Sequence, residues 1–136
     1  MKERKRGLFI CTHNSARSQM AEAFLNTLFG DRYEAYSART APTAVNPYSI
    51  KAMQEAGIDI SHHRSKGVEE FLGQAFDLVV TVCDSAKEAC PFFPGGVNRI
   101  HKSFRDPSSC EGSEQEILDC VRGIRDEIKD WIKQDF

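Results

Sequence analysis

Cys11, Arg17 and Ser18 belong to the segment CTHNSARS, which reads C-x5-R-S. With five Cys and ten Arg in the chain, a bare C-x5-R arises by chance roughly 0.4 times, and a following Ser or Thr lowers that to roughly 0.04. The chemistry this spacing could do is specific. Successive backbone N–H groups of a short loop closing onto a helix N-terminus form an anion-binding nest, and an arginine adds a bidentate fork for a tetrahedral oxyanion. The same positive field stabilises a thiolate, moving a cysteine pKa from ~8.5 into the range ~3.5–7.5, so Cys11 becomes a nucleophile at neutral pH. Ser18 can donate to that thiolate. The competing reading is a buried strand-end cysteine before an ordinary helix start, which leaves Arg17 and Ser18 as coincidences. No G-x-x-x-x-G-K pattern occurs, which argues against nucleotide hydrolysis.

Cys83 and Cys90 form a C-x6-C pair. A plain phosphatase needs one cysteine, whereas two more beside a catalytic thiol suggest successive exchange: Cys83 attacks an adduct or disulfide at Cys11, and Cys90 then attacks Cys83. An α-helix across that spacing would hold the two Cα atoms about 10 Å apart, and a disulfide needs less than about 7 Å, so the segment must be non-helical when oxidised. Two small core residues, or a zinc site with His101 or His13, are the alternatives. Asp106 in FRDPSS could protonate a leaving oxygen, although Asp before Pro also starts ordinary turns. Cys120 reads as a core residue on the last helix, and Cys110 stands in a polar loop with no assigned role.

These residues sit in a chain of 136 residues, the size of one domain (1–136) able to bury about two-thirds of its unfolded surface. The formal net charge of −2 offers no basic surface for nucleic acid or an acidic membrane. No run of 18 apolar residues exists, and MKERKR followed by LFI lacks a secretory apolar core, so a cytoplasmic protein is expected. An odd number of cysteines in a chain that can build its own core argues for individually employed thiols over a disulfide scaffold.

Strands and helices alternate along the sequence. LFI at 8–10 stops at Cys11, and Ser18 to Gly30 places Met20, Ala21, Phe24, Leu25 and Leu28 at helical spacing. Tyr33–Ala38 reads as a second strand, and a helix opened by Asn46 and Pro47 ends at Gly57. A short helix around Val68–Leu72 leads to DLVVTV at 77–82, an unbroken apolar run of the kind found in a central parallel strand. It stops at Cys83. Ser85 with Glu88 caps a helical turn or two ended by Pro91, a fourth strand lies near Val97–His101, and from Ser113 the positions Ile117, Val121, Ile124, Ile128 and Trp131 or Ile132 trace a terminal helix. The prediction is a single-domain α/β three-layer sandwich: a four-stranded parallel sheet of order 2-1-3-4 with helices on both faces. That order puts the ligand-binding switch point between strands 1 and 3, which end at Cys11 and Cys83.

CTHNSARSQMAE, YSA, VNPYSIKAM, GIDISHH, DLVVTVCDSAKEACPFFP and the FRDP turn together resemble the thioredoxin-coupled arsenate reductases, which share the low-molecular-weight protein tyrosine phosphatase fold. The resemblance covers nearly the full chain. It implies Cys11 as attacking thiolate, Arg17 with Thr12, His13, Asn14, Ser15, Ala16 and Ser18 as oxyanion cradle, Asn14 also propping the loop, Cys83 and Cys90 as resolving pair, and Asp106 as acid. It further implies arsenate as substrate with phosphate competing, thioredoxin as electron donor, no cofactor, and a monomer. Ala16 stands where several relatives carry a further cysteine outside the relay. Arg39 stands where the family usually has Gly, so a positive φ there would be strained, and Gly7 opens a central strand. Lys66 occupies a place where some members offer a carboxylate to potassium, and its ammonium could neutralise the same oxygens and Glu22; an exposed lysine on a solvated loop is the alternative. The competing functions are a low-molecular-weight phosphatase acting on phosphotyrosine or a small phosphomonoester, and an oxyanion-binding module without turnover. Ser108 and Ser109 after the DP speak against the phosphatase, which usually places aromatics there.

Overall fold

The computed structural model describes residues 4–11, 16–39, 47–60, 71, 74–82, 96–102, 104–105 and 107–136, with backbone alone at Cys11, Ala16, Arg39, Val97, Arg99 and Ser108. The chain order is β1 (Lys5–Cys11), α1 (Ala16–Phe29), β2 (Tyr33–Arg39), α2 (Pro47–Glu55), β3 (Phe76–Thr81), β4 (Gly96–His101), a 3-10 turn (Pro107–Ser109) and α3 (Glu114–Asp135). The strands form one parallel sheet of order β2-β1-β3-β4, as the alternation of elements predicts.

Strand side chains alternate between two apolar clusters. Phe9, Ala35, Leu78, Val80 and Val82 face the larger one, with Met20, Ala21, Phe24 and Leu25 of α1, Ala52 and Met53 of α2, and Leu118 to Ile132 of α3. Leu8, Ile10, Ala38, Phe76 and Val79 face the smaller one, closed by Phe71. β1 is therefore buried on both sides, which is why LFI carries no polar alternation. Phe71 is the one described residue of the predicted 68–72 helix, and the predicted turns at 85–91 lie outside the described residues.

Local chemistry sets the helix boundaries. Pro47 is the first residue of α2, where its missing N–H costs nothing. Gly57, at φ +83°, ends it while Ile58 N donates to Met53 O at 2.9 Å and Gly57 N to Gln54 O at 3.0 Å, a left-handed cap that favours glycine. After α1, a Cβ on Gly30 would lie 2.4 Å from the Asn26 carbonyl oxygen, so only glycine fits. Ser113 and Glu116 form a reciprocal capping box at the start of α3. Two positions depart from the expected stripes. Leu28 is 37% exposed, and in α3 the buried position is Leu118, with Ile117 only partly covered.

Gly7 and Arg39 are ordinary strand positions. Among the described residues no non-glycine has positive φ, so Arg39 lies unstrained in β2, contrary to the concern raised by its replacement of glycine. A Cβ on Gly7 would meet Leu78 at 3.6 Å and Leu25 at 4.0 Å, normal packing distances. Gly7→Ala should therefore stabilise the protein by about 0.5–1 kcal/mol, because alanine loses less backbone entropy in a strand. A melting temperature below that of the parent would show that β1 needs the glycine.

The expectation of separate thiols is corrected at the C-terminal end: Cys110 and Cys120 form a disulfide with Cα atoms 6.0 Å apart. The 3-10 turn folds back onto the second turn of α3, with Cys110 N donating to Pro107 O at 3.2 Å, and brings the two thiols together. Cys120 is thus a bonded, half-buried residue rather than an isolated core thiol.

An ion-pair network joins α2 to α3. Arg122 grips Glu55 with two bonds, Nε to Oε1 at 2.7 Å and an Nη to Oε2 at 2.6 Å, and also holds Asp119 at 2.6 Å. The Arg122 hydrogen bond, helped by the charges of Arg122, Arg125 and Lys51, holds the Glu55 carboxyl below the usual range against the opposing effect of burial. A carboxylate whose folded pKa is depressed adds stability above its unfolded pKa of about 4.3 and loses it as pH falls through the folded value. Glu55→Gln should accordingly melt below the parent at pH 7 and converge with it in acid below pH ~4. A gap that persists unchanged at the lowest pH would assign the effect to something other than this pair.

Candidate active site

The site lies at the carboxyl edge of the sheet, where β1 and β3 end side by side. Ile10 pairs with Thr81, and Val82 N donates to Ile10 O at 3.0 Å. Cys11 is the last residue of β1, paired with Arg39 of β2, and Cys83 follows Val82 directly in the chain. Four residues, 12–15, separate the strand from α1, which begins at Ala16. Arg17 is thus inside the first helical turn, two residues earlier than the periodicity alone suggests.

Polar side chains at this end of α1 are buried: Arg17 and Ser18 are 0% exposed, Gln19 1% and, one turn on, Glu22 7%. A surface helix would turn such residues to water. The Arg17 guanidinium donates an Nη hydrogen to the Phe104 carbonyl at 3.0 Å across 87 residues of sequence. This contact ties the start of α1 to the segment just after β4, two residues before Asp106 in sequence. A buried guanidinium at a helix N-terminus, where unsatisfied N–H groups already carry partial positive charge, makes a place for an anion.

Cys11 (by its backbone), Ala16, Arg17 and Ser18 are therefore gathered at this edge. Thr12, His13, Asn14, Ser15, Cys83, Cys90, Asp106 and Lys66 lie outside the described residues. His101, weighed above as a zinc ligand, shares a 2.7 Å hydrogen bond with Thr81 Oγ1 at the ends of β4 and β3. Two features escaped the sequence. The Phe104 carbonyl has no side-chain signature. The buried pair Ser37 and Glu22, with Ser37 Oγ donating to the carboxylate at 3.0 Å, joins β2 to α1.

Residues 6–134 match the family model for low molecular weight phosphotyrosine protein phosphatase. The chain belongs to that family. Within it, the chain is 45% identical over 125 residues to the arsenate reductase of Halalkalibacterium halodurans, covering 92% of this chain and 90% of that protein. A solved arsenate reductase in the phosphate binding state superposes with a TM-score of 0.74 at 30% identity, over 96% of this chain and 98% of the other. The thioredoxin-dependent arsenate reductase of Corynebacterium glutamicum superposes at 0.63 with 28% identity, over 99% of this chain and 65% of that one. Among the described residues of this family member, no helix is long and apolar enough to cross a membrane.

Proposed function

We propose that the protein reduces arsenate to arsenite in the cytoplasm through Cys11, Cys83 and Cys90, with thioredoxin as electron donor. The observation that carries the proposal is the buried Arg17 at the start of α1, held to Phe104 O, beside the strand that ends in Cys11. Arsenate has the shape and charge of phosphate, so a loop built for one tetrahedral oxyanion serves the other. The names of the relatives support arsenate as the physiological anion, and the Corynebacterium protein supports thioredoxin.

In this mechanism the Cys11 thiolate attacks arsenic(V), and an oxygen leaves as water after taking a proton from Asp106. The Cys83 thiolate then attacks Cys11 Sγ. A Cys11–Cys83 disulfide forms, the sulfur–arsenic bond breaks, and its electron pair stays on arsenic, which departs as arsenite. Cys90 displaces Cys11 from Cys83, leaving a Cys83–Cys90 disulfide for the thioredoxin dithiol to reduce.

Cys83→Ser and Cys90→Ser should separate the two chemistries of the site. Each should stop thioredoxin-coupled turnover and leave phosphomonoester hydrolysis nearly intact. Peptide mass mapping after arsenate addition should find an adduct at Cys11 in the first variant and a Cys11–Cys83 disulfide in the second. Normal cycling by either variant would mean that the relay runs through other sulfurs.

A further inference from the structure

We propose that Cys110–Cys120 is a second thiol–disulfide exchange site, opened and closed by dithiol reductants and their oxidised forms, that tunes the oxyanion site through the segment after β4. The two sulfurs differ in access. Cys110 is buried, whereas half-buried Cys120 lines a surface groove of about 280 Å³ with Arg105, Asp119, Gly123, Ile124 and Glu127. Of the two sulfurs, Cys120 is the one a thiolate can reach, past the charged rim of Arg105, Asp119 and Glu127. Attack therefore comes at Cys120 Sγ.

The attacking thiolate forms a mixed disulfide with Cys120 and expels Cys110 as a thiolate, which takes up a proton. The second thiol of the reductant then attacks the mixed disulfide and frees Cys120. Two electrons and two protons pass from the dithiol to the protein, and the reductant leaves as its own disulfide. The reverse reaction, with an oxidised dithiol, restores the bond.

Closure has a mechanical consequence at Phe104, Arg17's partner, six residues before Cys110. The disulfide pins Cys110 to α3, and the chain from Phe104 to Cys110 is short and internally braced: Arg105 Nε donates to Ser109 Oγ at 3.1 Å and Cys110 N to Pro107 O at 3.2 Å. At its other end, Phe104 packs on Trp131 of α3 with ring centroids 5.4 Å apart and presents its carbonyl to Arg17. With the bond formed, both ends of the segment are held to one helix, Cys110 by the disulfide and Phe104 by its packing on Trp131. Reduction releases one end, so the Phe104 carbonyl, and with it the Arg17 guanidinium, is held less firmly for an anion.

This coupling rests on the oxyanion reading above, whereas the exchange site itself does not. The test uses a Cys83→Ser/Cys90→Ser protein, in which Cys11 has neither resolving thiol, equilibrated in graded mixtures of reduced and oxidised dithiothreitol, quenched, alkylated and mapped by mass. Phosphate binding by calorimetry and melting temperature are measured on the same samples. Cys110 and Cys120 should pass together from bonded to alkylated in the folded protein. The reduced form should melt lower by on the order of 10 °C and bind phosphate about five-fold more weakly. Adding Cys110→Ser and Cys120→Ser should give the reduced protein's values in every mixture. A bond that opens only on unfolding would overturn the exchange site, and equal phosphate affinity in the two forms would overturn the coupling. Failure of both forms to bind phosphate would count against the oxyanion reading, and the alkylation map would still decide the exchange.

Discussion

Cys11→Ser should abolish arsenate reduction and any phosphomonoester hydrolysis together, by a factor of roughly 10⁴ to 10⁶ in turnover. In the proposed mechanism both reactions start with the same sulfur, and a serine hydroxyl without an adjacent base is almost wholly protonated at neutral pH, where a thiolate in a positive field is ready to attack. The substitution is close to isosteric at the last position of β1, a strand held on both sides by β2 and β3, so the melting temperature should stay within a few degrees of the parent. Phosphate should still bind, because the groups proposed to hold it are Arg17 and backbone N–H donors. Loss of activity with retained fold and anion binding is the pattern of a missing nucleophile. Measurable turnover by protein shown by mass to be free of the parent would remove Cys11 from the mechanism.

Arg17→Lys should cost about 10²- to 10³-fold in kcat/KM and destabilise the fold as well. The guanidinium does two things at once. Its planar fork can grip two oxygens of an oxyanion, and one of its Nη hydrogens meets the Phe104 carbonyl at 3.0 Å. An ammonium retains the charge but is a point donor on a shorter stem and cannot do both. Leaving that carbonyl unmet inside the protein costs about 1–3 kcal/mol, which a thermal or urea denaturation series reads directly. Kinetics near those of the parent would mean that the start of α1 is not where the anion sits.

The parts of the fold legible in the sequence were those with local causes. Apolar runs without alternation mark β1 and β3 because both faces of the sheet are covered, and Pro47 and Gly57 bracket α2 because each has one backbone role there. The terminal helix, read from Ser113, begins there with Ser113 as N-cap, and the serine followed three residues later by glutamate forms the capping box that fixes it. Stripe membership was less secure. Leu28 and Leu118 fall near the edge of a helical face, where one residue of phase, 100° of rotation, decides between water and core. The 2-1-3-4 order followed from alternating strands and helices, and it correctly placed Cys11 at the sheet edge beside the end of β3.

What the sequence could not show depends on long-range geometry. The bond between Arg17 and Phe104 O joins a side chain to a carbonyl that every residue possesses, so no residue type announces it. The Cys110–Cys120 disulfide depends on how tightly the 3-10 turn folds against α3; an odd number of cysteines pointed toward free thiols and gave no hint of that turn. The Glu22–Ser37 pair is likewise a product of packing, since it forms only where α1 lies on β2 and buries both residues. The C-x5-R-S motif was legible because it lies in eight consecutive residues, and the anion-binding role proposed for it rests on the buried Arg17.

Arsenate-dependent oxidation of thioredoxin by the purified protein tests the central claim most directly. Reduced thioredoxin is supplied through its reductase and NADPH, arsenite is quantified in parallel, and the parent is run beside Cys83→Ser and Cys90→Ser. One thioredoxin disulfide per arsenite released is the predicted stoichiometry, with turnover dependent on arsenate and lost in both variants. Phosphomonoester hydrolysis by the parent without any arsenate-dependent thioredoxin oxidation would contradict the account and leave a phosphatase in its place.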